Sequence, residues 1–166
     1  MGEQYQPEVT VYWQLEAAGA ETADTEALET VIKRALAAEL LMGAVDLSVT
    51  LTGDDEIQRL NAAYRGLDEA TDVLSFPLRS GGVEFVSPPD GVLHLGDVVI
   101  SLPQARRQAA EYGHTPPQEL AQLVVHGVLH LVGYDHEDEA QAVVMQAKER
   151  AALCLPPLTA REREHP

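Results

Sequence analysis

The sequence predicts an α+β domain in which a small mixed β-sheet of about four strands is covered by helices. Segments of β-branched and aromatic residues, or of alternating apolar and polar residues, predict the strands. Segments with apolar residues every three to four positions predict the helices. One of these helices carries two histidines four residues apart, which places both rings on one face and predicts a central metal-binding helix.

Four strands are predicted, over residues 9–15, 45–51, 71–78 and 93–101. The first is rich in β-branched and aromatic residues, and the second alternates as a half-buried strand does. Pro77 removes a backbone donor from the third, so this strand should lie at an edge of the sheet or end there. Residues 17–23 are predicted to form a loop, and residues 80–91, rich in glycine and proline, a flexible connection or a lid.

Five helices are predicted between and after these strands. Asp24 or Thr25 caps the first, which should run to about residue 41 with Leu28, Ile32, Leu36 and Leu40 as its apolar stripe. The second covers residues 55–65, and the third begins at Pro103 and ends before Gly113. Thr115 to Gln118 resembles a capping box that starts the histidine helix. The last runs from the acidic residues 137–139 to about residue 153, with Ala140, Val143, Val144, Ala147 and Ala151 expected to face inward.

Composition restricts the class of protein. Residues 1–155 are expected to form one domain and residues 156–166 a polar, disordered tail. A net charge of −16, from 11 basic and 27 acidic residues, argues against a broad basic surface for nucleic acid. No apolar run approaches a membrane span, and the first residues lack the features of a signal peptide, so a cytoplasmic protein is expected. The single cysteine, Cys154, cannot form an intramolecular disulfide and is expected to pack in the core or at an interface.

The histidine pattern is H-x-x-x-H-x-x-G-x-x-H, formed by His126, His130, Gly133 and His136. Gly133 can end the helix in a left-handed conformation and so return His136 towards the other two rings. Three imidazoles that converge and leave a fourth position for water are typical of a catalytic zinc site. The alternative is that these histidines are packing residues of a buried helix, but three buried imidazoles would then need other hydrogen-bond partners.

The same spacing occurs in metzincin metalloproteases, which place a glutamate directly after the first histidine to activate water. Here that position is Gly127, which carries no acid or base. Loss of a general base typically costs a hundredfold or more in rate. A zincin-like peptidase is therefore disfavoured unless another carboxylate, such as Asp135 or Glu137, replaces the missing glutamate.

The histidine segment resembles the signature of the YbeY family of rRNA maturation factors, which are bacterial metal-dependent endoribonucleases. Two further segments resemble the same family in the same order. They are Leu60-Asn61-Ala62-Ala63-Tyr64-Arg65-Gly66-Leu67-Asp68 with Thr71-Asp72-Val73-Leu74-Ser75-Phe76-Pro77, and Leu95-Gly96-Asp97-Val98-Val99-Ile100-Ser101. The resemblance extends from about residue 45 to residue 150.

The resemblance implies cleavage of single-stranded RNA in 16S rRNA 3′-end maturation and ribosome quality control. It implies a catalytic zinc centre with His126, His130 and His136 as ligands, and Arg65 as a functional cation that stabilises charge on the phosphate. The implied partners are rRNA and the ribosome or its proteins, with no membrane. A ribosome-assembly factor with a merely structural metal is the remaining alternative. The scissile bond, the product ends and the proton acceptor are left open.

Several other residues are secondary candidates. Asp97 could accept a hydrogen bond from a ligand imidazole, and Asp135 and Tyr134 could orient the ligand turn or contact substrate. Ser75 is interpreted as structural. Five arginines could together form a local basic cleft for RNA, with a solvated helix face as the competing interpretation for the last two: Arg59, Arg65, Arg79, Arg106 and Arg107.

Overall fold

The computed structural model describes residues 6–39, 41–78 and 91–156. Within these ranges four strands form one sheet in the order β1-β2-β4-β3: β1 (Glu8–Leu15), β2 (Ala44–Thr52), β3 (Val73–Pro77) and β4 (Val92–Ser101). β1, β2 and β4 are parallel, whereas β3 pairs antiparallel with β4. The predicted α+β class with a small mixed sheet is confirmed, and Pro77 is the last residue of an edge strand, as its missing donor requires.

In the same described ranges, five α-helices accompany these strands: α1 (Thr25–Ala37), α2 (Asp54–Arg65), α3 (Leu102–Tyr112), α4 (Pro116–Leu131) and α5 (Glu139–Ala152). Asp24 caps α1 by accepting from the N–H of Ala27, and Thr115 with Gln118 forms the predicted capping box of α4. A short 3₁₀ turn (Ala20–Thr22) occurs within the predicted loop. α1 ends earlier than predicted, because Leu41 enters the core from the connection to β2 rather than from the helix.

α4 positions the histidines because its apolar side packs against the sheet. Val124 and Val128 are fully buried with Val98 and Ile100 of β4, in the main core that α1 also joins. α2 lies on the opposite face, where Ile57 packs with Leu74 and Val99 in a smaller cluster. Successive residues of β4 therefore face different helices, as strand geometry requires.

The predicted inward face of α5 is wrong. Val143 and Val144 are 45% and 48% exposed, and Ala140, Ala147 and Ala151 are also exposed. The face that packs against α1 and α4 contains Met145 and Ala152, both buried, with the partly buried Lys148 and Glu149 between them. The spacing of apolar residues predicted the wrong inward face because the true one carries two charged residues. Each of these is hydrogen-bonded to a residue outside α5.

Two other expectations concern the ends and connections of the chain. Cys154 is exposed and follows α5 with a φ of 57°, so core packing is wrong for this residue.

The predicted lid between β3 and β4 falls, apart from Gly91, outside the described residues, as does the predicted tail after Pro156. The assignment of residues 1–155 to one domain stays a prediction. Among the described residues, no helix combines the length and apolarity that crossing a bilayer requires.

Candidate metal centre

The three predicted histidines converge at the C-terminal end of α4. His126 and His130 are one helical turn apart, and their Nε2 atoms lie 3.1 Å from each other. Their ring centroids are separated by 4.6 Å in an edge-on arrangement. Both side chains are partly buried, because the neighbouring helix positions are packed against the sheet.

His136 reaches this pair through the turn that follows α4. Gly133 has a φ of 105°, a left-handed conformation that glycine adopts without strain, and the N–H of Tyr134 donates to the carbonyl of Leu129. The His136 ring centroid then lies 5.6 Å from that of His126 and 5.2 Å from that of His130. The predicted reversal of the chain at Gly133 is confirmed.

The donor atoms fit a divalent metal ion. One ring nitrogen from each of His126, His130 and His136 lies within 4.8 Å of the others. Burial, together with the charges that the two neighbouring imidazoles would carry, holds the pKa of His130 below its ordinary value. The neutral imidazole, which is the form that binds metal, is therefore favoured at neutral pH. His136 is exposed, so one side of the group is open to solvent, as a catalytic metal site requires.

Glu149 of α5 supports the site and was not singled out from the sequence. Its Oε1 lies 2.6 Å from Nδ1 of His126. If Nδ1 carries the proton that this contact needs, Nε2 of His126 presents its lone pair towards the other histidines. Glu149 is 23 residues from His126, so no local motif joins them. The only signal is its place four residues after Met145, on the inward face of α5.

A second group of contacts holds the ligand turn. The hydroxyl of Tyr134 donates to Oε2 of Glu39 at 2.7 Å, and Nζ of Lys148 donates to Oε1 of the same carboxylate at 2.9 Å. Nζ of Lys148 also lies 5.1 Å from the centroid of the Tyr134 ring. The hydrogen bond to Glu39 raises the pKa of Lys148 and keeps it charged. Tyr134 thus ties the turn before His136 to Glu39, two residues after the end of α1, and to Lys148 of α5.

A cavity of about 760 Å³ opens in front of the histidines. Its opposite wall is formed by β3, by the residues before that strand, and by Tyr64 and Arg65 at the end of α2. The structure therefore brings the predicted cation, Arg65, into the same cavity as His126, His130 and His136. This is the combination that charge stabilisation on an anionic substrate requires.

Comparison with known proteins agrees with the motifs. The model of the family described as Endoribonuclease YbeY matches residues 14–154. The chain belongs to the YbeY family. It is 46% identical over 135 residues to an Endoribonuclease YbeY of Chloroflexus aurantiacus, covering 81% of this chain and 88% of the relative. A relative of the same name from Moorella thermoacetica is 48% identical over 128 residues, covering 76% of this chain and 82% of the relative.

The fold agrees with a solved structure as well. The solution structure of TM1509 from Thermotoga maritima matches with a TM-score of 0.57 and 27% identity, covering 95% of this chain and 94% of that one. The resemblance inferred from the three motifs is therefore confirmed.

Gly127, which occupies the position of the protease glutamate, faces the sheet. A Cβ added there would lie 2.6 Å from Cγ1 of Val98, and the hydroxyl of Ser75 donates to the Gly127 carbonyl at 2.9 Å. α4 approaches β3 and β4 this closely only because residue 127 has no side chain. Ser75 therefore links the strand to the helix, in agreement with the structural role expected for it.

Tyr134 and Asp135 line the histidine cavity, as expected, whereas the other described arginines and Asp97 do not. Arg107 binds Asp54 at 2.8 Å, and Arg59 binds Glu56 on the same helix. The guanidinium group of Arg106 lies against Gly19. Of the described arginines, Arg65 alone lines the histidine cavity, so the cleft of five arginines stays a prediction that these contacts do not support. Arg79 lies outside the described residues. Asp97 is also not a partner of a ligand imidazole, since it accepts a hydrogen bond from Ser48 of β2 on the other face of the sheet.

Proposed function

We propose that this protein is a zinc-dependent endoribonuclease that cleaves single-stranded RNA in 16S rRNA 3′-end maturation and ribosome quality control, in the cytoplasm. Its family relatives carry the name Endoribonuclease YbeY. The observation that carries the proposal is the single cavity shared by three convergent histidines and Arg65. A metal site supplies hydrolytic chemistry, and a nearby guanidinium selects an anionic substrate such as a phosphodiester.

In this proposal His126, His130 and His136 would hold the ion. When bound, zinc supplies a Lewis acid for the phosphodiester. Arg65 presents a planar fork of donors that suits two phosphate oxygens and offsets the negative charge that grows during cleavage. Each role belongs to a different element of the fold, so the relative placement of α2 and α4 sets the geometry of the reaction.

Asp135 is the best-placed proton acceptor in the cavity. Among the described residues, two carboxylates line its walls, those of Asp72 and Asp135. Asp72 is already bonded through both oxygens, to the N–H of Val73 at 2.8 Å and to the amide of Gln108 at 3.2 Å. Oδ1 of Asp135 accepts a hydrogen bond from the backbone N–H of His136. Oδ2 has no hydrogen-bond donor among the described residues, so it can accept a proton from water or from a ribose 2′-hydroxyl.

The charge distribution supports a single-stranded substrate delivered by a partner. A duplex is held mainly by many phosphate contacts, and this chain has a net charge of −16. Arg65 alone among the described arginines lines the cavity. We infer that the ribosome or its proteins supply the basic surface that binds the RNA, and that this enzyme supplies the active site that cleaves it. The peptidase alternative gains no support, because a side chain at residue 127 would meet Val98, and Gly127 does not line the cavity.

The test is cleavage of 16S precursor fragments by wild type, Arg65→Ala and His130→Ala, with Arg107→Ala as a matched arginine control. Loss of one preorganised charge donor typically lowers kcat by about 10²–10³-fold, so Arg65→Ala should fall by that range while Arg107→Ala stays near wild type. Equal cleavage in all four preparations would indicate a contaminating nuclease and remove the proposal. Products that end in a 2′,3′-cyclic phosphate would identify the 2′-hydroxyl, not water, as nucleophile.

A further inference from the structure

A second cleft, of about 430 Å³, lies on the sheet face opposite α4. Asp97 and Val99 of β4 line it, whereas Val98 and Ile100, which alternate with them, belong to the core beneath α4. Ser48 and Thr50 of β2 and Gln14 of β1 continue its floor, and α2 forms one wall. Neither the family name nor the proposed metal chemistry assigns a role to this cleft.

The cleft is joined to the metal cavity by an aromatic pair. Tyr64 and Phe76 line both spaces. Their ring centroids are 5.2 Å apart at an interplanar angle of 66°, so the edge of one ring supports the face of the other. The Tyr64 residue is nevertheless 69% exposed, which leaves most of its ring available to a ligand. An exposed, supported aromatic ring beside a nucleic-acid site is a stacking surface for a base.

The charged residues of the two spaces suit different parts of a nucleotide, the phosphate in the metal cavity and the base in the second cleft. Arg65, which follows Tyr64 directly, lines the metal cavity but not the second cleft, and it suits a phosphate. The second cleft contains Glu16, Glu56 and Asp97, whose carboxylates repel a phosphate. Arg59 neutralises Glu56, but Asp97 is bonded only by Ser48, through Oδ1, among the described residues. A carboxylate oxygen of this kind accepts a hydrogen bond from an exocyclic amino group of a base.

We propose that this cleft is a base-binding subsite for a nucleotide next to the scissile phosphate. Tyr64 stacks on the base, and Asp97 accepts from its amino group, so cytosine, adenine and guanine are taken in preference to uracil, which has no amino group. The proposal rests on the proposed RNA substrate and deepens it. It also explains how an acidic protein binds RNA, since the bases rather than the backbone supply the contacts here.

The experiment measures binding of the zinc-loaded protein to short 2′-O-methyl strands of cytidine, of uridine, and of the sugar–phosphate backbone without bases, by fluorescence anisotropy. Stacking of one base supports a loss of roughly 5- to 150-fold in affinity when the aromatic ring is removed. Tyr64→Ala should show that loss on the cytidine strand and none on the strand without bases, while Tyr64→Phe keeps most of the affinity. Tyr112→Ala, which removes a similarly exposed tyrosine outside both spaces, should match wild type.

Asp97→Asn tests the amino preference separately. Wild type should bind cytidine more tightly than uridine, and this ratio should shrink towards one in Asp97→Asn, because an amide can also donate to uracil. Equal binding of both strands by wild type, or an equal effect of Tyr64→Ala with and without bases, overturns the subsite.

Cleavage of a matching RNA is followed in parallel with His130→Ala as the reference. If cleavage depends on His130 but binding does not depend on Tyr64, the subsite is wrong and the proposed nuclease stands. If the binding pattern appears without any cleavage that depends on His130, the nuclease is wrong and the subsite stands.

Discussion

Replacing Glu149 by alanine should weaken zinc binding by about 10–100-fold, which is the range found when an outer partner of a ligand histidine is lost. The geometry of the Glu149–His126 contact predicts a loss of zinc affinity of similar size. Oε1 of Glu149 lies 2.6 Å from Nδ1 of His126, and the two side chains are only 25% and 28% exposed, so solvent screens the pair weakly. A hydrogen bond to a charged group in such a place contributes about 1.5–3 kcal/mol, or roughly 10- to 150-fold in an equilibrium constant.

The assay is a competition titration in which the purified, metal-free protein takes zinc from a coloured chelator. Glu149→Gln should lose less than Glu149→Ala, because an amide oxygen can still accept the Nδ1 proton although it carries no charge. Glu111→Ala is the matched control, since Glu111 is an exposed helical glutamate on α3 that does not line the histidine cavity. Wild-type zinc affinity in Glu149→Ala, with the fold intact by circular dichroism, would show that Glu149 does not position His126.

Three further outcomes follow from contacts near the site. Gly127→Ala should lower the free energy of unfolding by about 1–3 kcal/mol, measured by urea denaturation, because its Cβ overlaps Val98; equal stability would show that α4 can move away from the sheet. Tyr134→Phe should cost about 1 kcal/mol in the same measurement through its lost bond to Glu39, and no loss would show that the turn is held otherwise. The metal-free protein should lose stability as pH falls from 6.5 towards the lowered pKa of His130, because the unfolded chain binds the proton first; thermal unfolding that does not change between pH 7 and pH 5 would contradict this.

The metal ligands could be predicted because their information is local. The spacing of His126 and His130 places two rings on one helix face, and Gly133 marks the reversal that returns His136. Pro77 likewise identified an edge strand through a single missing donor. Each of these inferences needs only a few neighbouring residues, and each agrees with the structure.

The second layer of the site could not be predicted in the same way. Glu149 contacts His126 from another helix. To make this contact, α5 is oriented with its most apolar face towards solvent. Hydrophobic periodicity assigned Val143 and Val144 inward, although the burial of Met145 and the hydrogen bonds of the charged residues determine the true orientation. Hydrogen bonds between side chains that are distant in the sequence cannot be predicted from local residue spacing.

The pairing of Arg59 with Glu56, and of Arg107 with Asp54, has a consequence for the kinetics of RNA capture. These pairs leave no isolated guanidinium group at either position to attract RNA locally. The long-range field is that of a polyanion, because the net charge of −16 already counts every arginine. RNA must approach against this field, which is screened beyond about 10 Å at an ionic strength of 0.1 M. Added salt should therefore speed the encounter of the isolated enzyme with free RNA, opposite to its effect on proteins that steer nucleic acid by positive charge. Stopped-flow association rates at increasing salt would reveal this inverted dependence.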